Sequence, residues 1–206
     1  PGHVQITDQE EIDRVAPIIE AVKARFDVPV SLDTYKSAVA EAGIAVGADL
    51  INDIWGLKYD PKMADVIAKA DVACCLMHNR DNSDYGDFLS EWYQETAECV
   101  ELAKKAGIAD DKIILDPGVG FGKTYEQNLT TIKYMDDLKK LGYPLLLGTS
   151  RKSVIGLTLD TPVTDRAVGT AVTTVFAVQQ GYAFVRVHDI KVNKQAIQMT
   201  KAILNA

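Results

Sequence analysis

Six short apolar runs in this chain each close on a polar or charged residue, and a stretch with helical periodicity follows nearly every one. The runs are VPVSLDT (Val28 to Thr34), DLINDIW (Asp49 to Trp55), DVACCLMH (Asp71 to His78), KIILDPG (Lys112 to Gly118), PLLLGTSRK (Pro144 to Lys152) and AFVRVHD (Ala183 to Asp189). None is joined to the next by a connection short enough for a hairpin. Such alternation specifies parallel strands with crossover helices. The exits carry Asp33, Asn52, His78, Asp116, Ser150 with Lys152, and Arg186 with His188. In parallel α/β folds the loops converge at the carboxyl ends of the strands, so polar groups gathered there form the ligand face. Strands must end on something polar, and chance covers one or two such exits more comfortably than all six.

The segments between the runs read as helices. Ile6 to Phe26 opens on Thr7 or Asp8 as a cap, carries Glu10 and Glu11 in its first turn, and spaces Ile12, Val15, Ile18, Ile19 and Val22 along one face. Further helical stretches are Tyr35 to Val46, Pro61 to Ala70, Phe88 to Ala106, Gln127 to Leu141, Pro162 to Gln180 and Lys191 to Leu204. Gly107, Gly142 and Gly181 stand where helix ends need a left-handed residue. Two architectures fit this order, an open doubly wound sheet and a closed (β/α)8 barrel. No GxGxxG follows a first strand, and chemistry-bearing residues close every strand instead of clustering at one switch point, which favours the barrel. A closed barrel has eight strands and the count here is six, so the expectation is a single domain over residues 1–206 that carries strands 3 to 8 and their helices. The first strand, first helix and second strand are then absent from the chain.

Composition narrows the function. With 206 residues, 47% of them hydrophobic and 25% charged, the chain is long enough to bury a substantial core. A net charge of −7 argues against a nucleic-acid footprint, so any anion site must be a local cluster of cations. No apolar stretch approaches the ~20 residues of a membrane span, and no signal peptide is visible. Cys74, Cys75 and Cys99 are an odd count with no further ligands at metal spacing. They read as reduced thiols in a cytoplasmic protein and not as a zinc site.

Asp33, Asn52 and Asp116 close three different strands, and a barrel can aim them at one ligand. Two carboxylates and an amide suit a planar heterocycle edged with N–H donors and ring acceptors, and a carboxylate beside a ring that turns cationic stabilises that charge. The plainer reading makes Asp33 and Asp116 turn starters, Asp-Pro being a common one. Lys152 with Arg151, and Arg186 with His188, end the last two strands of an acidic protein. Arg186 and His188 are two apart and, on a strand, share one face, which suits the grip of a phosphate group; the alternative is an ion pair with a barrel carboxylate. DPGVGFGK, Asp116 to Lys123, lacks the spacing of a phosphate loop, but Phe121 among its glycines could wall a pocket. Met77 and His78 read equally as core or as ligand contacts.

The strings SLDTYK, INDIWG, LMHNR, DPGVGFGKT, GTSRKSVIG and RVHD, in this order and spacing, resemble the dihydropteroate synthase family, folate-pathway transferases targeted by sulfonamides. The resemblance covers essentially the whole chain. It implies a (β/α)8 barrel that joins 4-aminobenzoate to 6-hydroxymethyl-7,8-dihydropterin pyrophosphate, giving 7,8-dihydropteroate and pyrophosphate. Carried over, Asp33, Asn52, Asp116 and Lys152 hold the pterin, with Ile54, Met77 and Gly148 shaping its pocket. Phe121, Ser150 and Arg151 lie on the aminobenzoate side. Arg186 and His188 hold the pyrophosphate, and Asp33, Lys152, Arg186 and His188 are the catalytic set. The resemblance also implies Mg²⁺ and a homodimer through outer helices. In the family, two loops upstream supply a metal- and anion-binding asparagine and an arginine in a string ending Thr-Arg-Pro-Gly. Pro1 and Gly2 resemble the end of that string, so the metal ligand is expected before Pro1, and these 206 residues alone are expected to turn over poorly. Two rival readings are a methyltetrahydrofolate methyltransferase, which needs no anion clamp, and a non-catalytic pterin-binding fragment.

Overall fold

The computed structural model describes residues 4–206, and Pro1 and Gly2 lie outside the described residues. The chain forms two compact units, one of residues 1–77 with 98–113 and one of residues 78–97 with 114–206. All six apolar runs form strands, each shorter than its run. In the first unit these are β1 (Ser31–Asp33), β2 (Leu50–Asp53) and β3 (Ala73–Met77), alternating with α1 (Asp8–Lys23), α2 (Ser37–Ala45) and α3 (Met63–Ala70). In the second unit β4 (Ile113–Asp116), β5 (Leu146–Leu147) and β6 (Phe184–Val185) alternate with α5 (Tyr125–Tyr134), α6 (Ser153–Leu159), α7 (Ala167–Gln179) and α8 (Ile190–Leu204). The helix α4 (Phe88–Lys105) is divided between the two units, and Ile113, the first residue of β4, belongs to the first.

The first unit is built on parallel pairing. β1 and β2 run in the register Leu32 to Ile51 and Asp33 to Asn52, and β2 continues onto β3 with Asn52 opposite Cys75 and Asp53 opposite Leu76. Thr7 caps α1 by accepting the Glu10 N–H at 3.2 Å, while Asp8, Glu10 and Glu11 put negative charge where the helix dipole favours it. Gly43 lets α2 lie close on β1, because a Cβ there would stand 2.3 Å from the Leu32 Cδ2. Leu32, Val39, Ile51, Met63, Ile67, Cys74 and Leu76 fill the core between these elements. All three cysteines are buried without a disulfide, and burial, helped by the nearby Asp53, pushes the Cys74 thiol up to about 12.

The second unit repeats the pattern. β5 and β6 pair in parallel, Leu146 with Phe184 and Leu147 with Val185, and a parallel bridge joins Leu115 to Leu145. Val119, Met135, Leu147, Val154, Ile155 and Ala177 pack as one apolar cluster. Buried threonines tie the helices behind the strands. Thr149 shares a hydrogen bond of 2.7 Å with Thr173, and Thr174 donates to the Asn193 Oδ1 at 2.6 Å.

Four expectations need correction. The structure adds α6 directly after Lys152, a seven-residue helix too short for periodicity to declare it. The stretch Gln127 to Leu141 is an α-helix only to Tyr134, after which Met135–Leu141 tightens into a 3₁₀ helix. Its start moves to Tyr125, because Thr124 and Gln127 form a reciprocal capping box. The helix expected from Pro162 begins at Ala167, Val163–Asp165 being a separate 3₁₀ turn. Finally, β6 ends at Val185, so Arg186 and His188 do not share a strand face; they lie in the segment that leads to α8.

Candidate active site

The expected residues fall into two groups, one in each unit. In the first unit, parallel pairing sets Asp33 and Asn52 side by side at the carboxyl ends of β1 and β2. Asn52 is buried and Asp33 exposed. Ile54 follows Asn52 by two residues, and Met77 closes β3 with only 3% of its surface exposed. The loop after β2 is held by Asp53, whose Oδ1 accepts the Trp55 N–H and whose Oδ2 accepts the Leu57 N–H, both at 2.8 Å. Burial raises Asp53 to about 6 in spite of these bonds, with the like charges of Asp33 and Asp60 adding to it.

In the second unit Asp116 ends β4 and is buried. Its Oδ1 accepts the Gly118 N–H at 2.7 Å, so it does start a turn. That turn leaves Oδ2 beside Gly148, where a Cβ would lie 3.3 Å away. Any larger residue at 148 would fill the approach to the carboxylate. Burial raises the pKa of Asp116, opposed by the positive charges of Lys152, Lys123 and Arg186 and by the Gly118 bond. The cations work against that rise by favouring the ionised carboxylate, the form that accepts N–H donors at both oxygens.

Lys152 projects back over the glycine-rich turn. Its ammonium lies 4.6 Å from the centre of the Phe121 ring and donates to the Val119 carbonyl, and a Cβ on Gly120 would touch its side chain at 3.0 Å. The segment that carries Lys152 is itself fixed. Arg151 adopts a left-handed backbone (φ 58°), and its N–H donates to the Thr170 hydroxyl at 3.2 Å. Arg166 donates to the Arg151 carbonyl at 2.9 Å and lies against Gly156, where a Cβ would clash at 2.1 Å. The Arg151 guanidinium makes a two-point ion pair with Asp189, at 3.0 and 2.8 Å. His188 meets Ser150 twice, the Ser150 Oγ accepting its backbone N–H at 3.0 Å and lying 2.9 Å from its Nδ1. Arg186 and His188 are both exposed, and the Arg186 N–H donates to the Leu147 carbonyl at 2.9 Å.

His78 resolves differently from the other strand ends. It is 1% exposed, with Nε2 2.9 Å from Glu95 and Nδ1 2.8 Å from the Lys123 ammonium, so both ring nitrogens are engaged in a buried network. Sequence reading passed over Glu95, Lys123, Arg166 and Asp189. Lys123 and Asp189 close the noted strings DPGVGFGK and RVHD, whereas Glu95 and Arg166 carry no local signal, since each acts on a residue at least 15 positions away. Among the described residues no group of three or more His, Cys, Asp or Glu side chains could hold a metal ion. No helix among the described residues is long and apolar enough to cross a membrane.

A cationic turn around a buried aspartate, at the end of a parallel strand, is an arrangement that suits a small molecule carrying both N–H donors and negative charge. The profile of the family described as pterin binding enzyme matches residues 1–188. A dihydropteroate synthase of Clostridium beijerinckii is 54% identical over 205 residues, spanning 99% of this chain and 76% of that protein. One from Bacillus subtilis is 45% identical, spanning 100% of this chain and 72% of its own length. The crystal structure of the Clostridium difficile dihydropteroate synthase in the presence of pteroic acid superposes with a TM-score of 0.96 at 46% identity, covering 98% of this chain and 78% of that one. The Yersinia pestis enzyme in complex with a sulfonamide drug gives 0.96 at 37% identity, covering 100% and 77%. The chain belongs to the pterin-binding enzymes and, within them, to the dihydropteroate synthase family. Its fold is accordingly of the parallel α/β barrel type.

Proposed function

We propose that this chain carries the pterin- and pyrophosphate-handling residues of a dihydropteroate synthase, a transferase that joins 4-aminobenzoate to 6-hydroxymethyl-7,8-dihydropterin pyrophosphate. The observation that carries this reading is the buried Asp116 carboxyl with Lys152, Lys123 and Arg186 as its charged neighbours, in a chain 54% identical to such an enzyme. Asp116, Asn52 and Asp33 accept from and donate to the pterin edge, beside Ile54, Met77 and Gly148. Lys152 sits between the two substrates, with Phe121, Ser150 and Arg151 toward the aminobenzoate. The methylene C–O bond breaks, and its electron pair leaves with the pyrophosphate toward Arg186 and His188. Asp33 steadies the positive charge left on the pterin, the aniline nitrogen forms the new C–N bond, and its surplus proton is lost.

The exposure of Arg186 and His188 supports a role at the mouth, where a departing anion must reach water. The cation cluster favours the synthase over a methyltransferase, which has no anion to release. The proposal retains magnesium as a companion of the pyrophosphate, held by residues other than those described here, and no step above passes through it. It also includes a cytoplasmic location, supported by three cysteines without a disulfide, and sulfonamide binding. A homodimer is supported by an apolar groove of about 550 Å³ between α5, α6 and α7, with Leu129, Val168, Val172 and Phe176 exposed along it.

The test is pyrophosphate release by the full-length protein given both substrates and Mg²⁺. Lys152→Ala is expected to lower the rate about 100-fold, the range seen when one charge-stabilising group is removed. An unchanged rate, or no release by the parent protein, would overturn the reading.

A further inference from the structure

Lys123 closes the glycine-rich turn in a way that the proposed chemistry does not itself require. A lysine ammonium offers three hydrogens and accepts none. Here three acceptors meet it, the Gly118 carbonyl at 3.0 Å, the Phe121 carbonyl at 3.0 Å and the His78 Nδ1 at 2.8 Å. With Nδ1 accepting, the His78 ring carries its hydrogen on Nε2 and donates it to Glu95 at 2.9 Å. Glu95 in turn receives the Arg80 Nε at 2.8 and 3.0 Å. The Arg80 guanidinium covers the Tyr85 ring at 4.0 Å, and the Tyr85 hydroxyl donates to the Gly122 carbonyl at 2.9 Å. The turn is therefore tied at 118 and 121 by Lys123 and at 122 by Tyr85, on a network rooted in the first half of α4. Gly118 (φ 72°) has no room for a side chain, since a Cβ would lie 1.9 Å from the His78 carbonyl oxygen.

What the turn presents is the bed of Lys152, formed by the Val119 carbonyl and the Phe121 ring. We propose that Lys123 is a positioning residue for the aminobenzoate side of the reaction: it holds the turn between Asp116 and Lys123 so that Val119 and Phe121 aim Lys152. This inference rests on the function proposed above. The neutral lysine cannot keep all three contacts. It retains two hydrogens for two carbonyls, and a His78 that donated from Nδ1 instead would turn a bare Nε2 on the Glu95 carboxylate. Burial lowers Lys123 to about 7, with Asp116 and Glu95 opposing the fall and Lys152 and Arg80 adding to it, and His78 in direct contact. The turn is thus expected to loosen as the pH rises through that value.

The experiment compares full-length wild-type protein with Lys123→Met, reading steady-state kinetics and amide hydrogen exchange. Expected are a KM for 4-aminobenzoate raised about tenfold, a clearly smaller rise in the KM for the dihydropterin pyrophosphate through the lost charge beside Asp116, and exchange at Gly120 and Phe121 raised more than about tenfold with the α5 amides unchanged. Unchanged exchange in the turn, or both KM values moving together, overturns the proposal. In the wild type the aminobenzoate KM rises as the pH passes neutrality, and Lys123→Met lacks that rise. Should Lys123→Met fail to fold, Glu95→Gln keeps the lysine but removes a charge that favours its ammonium. It must move the rise to lower pH, and an unmoved rise counts against the proposal. If the wild type releases no pyrophosphate, the functional reading fails while the exchange measurement still decides the role of Lys123 in the turn.

Discussion

Asp53 and Asp116 end the strands β2 and β4, are both buried, and both have pKa values raised chiefly by that burial. Their surroundings are opposite. Asp53 has each oxygen taken by a backbone N–H of its own loop and has the carboxylates Asp33 and Asp60 as charged neighbours. Asp116 gives one oxygen to Gly118, keeps the other beside Gly148, and is surrounded by Lys152, Lys123 and Arg186. One carboxyl is consumed by building a turn. The other builds its turn with half of its capacity and offers the remainder, in a field that favours its ionised form. Burial alone therefore does not mark a functional acid; the sign of the neighbouring charge and the unspent oxygen do.

The sharpest way to break this comparison is to remove the charge from each in turn. Asp116→Asn is expected to lower kcat/KM for pyrophosphate release at least about 100-fold, the ~3 kcal/mol of a charge-assisted hydrogen bond lost at a buried site. Asp53→Asn is expected to leave it within about threefold, since that side chain serves its own loop. Equal losses would erase the distinction.

A smaller effect separates them by pH. The folded-state pKa of Asp53, about 6, lies above its ordinary 3.8, so the native state holds its proton more tightly. The associated stability is present in full below pH 3.8 and is lost as the pH rises through about 6. At 1.4 kcal/mol per unit the loss is about 3 kcal/mol, and urea unfolding of Asp53→Asn at pH 4 and pH 7 is expected to lack it. The smallest expected effect lies at the surface. Asp189→Asn breaks the pair with Arg151, whose side chains are 36% exposed for the arginine and 22% for the aspartate, and is expected to leave the urea midpoint almost unmoved in the same titration.

The strands were legible because a parallel strand buried on both faces reads as a short apolar run, and their polar exits followed directly. What stayed hidden is what bends the chain after the exits. The α6 helix spans seven residues, its preceding Lys152 makes no side-chain cap, and the fold holds it through Arg166 from a later turn. The expected shared face of Arg186 and His188 failed because β6 contributes only Phe184 and Val185 to its ladder, and the pairing geometry stops before the arginine. His78 read as core or ligand with equal weight, since nothing local shows that Glu95, 17 residues on, comes round to its Nε2. Roles within a site were thus clearer than the supports that orient them. A ligand group must be polar at a strand end, whereas a support needs only to arrive there.

The three buried cysteines give the first unit a built-in clock. All three are shut away from solvent, and the Cys74 thiol is in addition pushed up to about 12, so they are nearly inert toward alkylating reagents while the unit stays folded. Each adduct formed at Cys74, Cys75 or Cys99 therefore records an opening event, and labelling timed by mass spectrometry reads the rate of opening without any introduced probe.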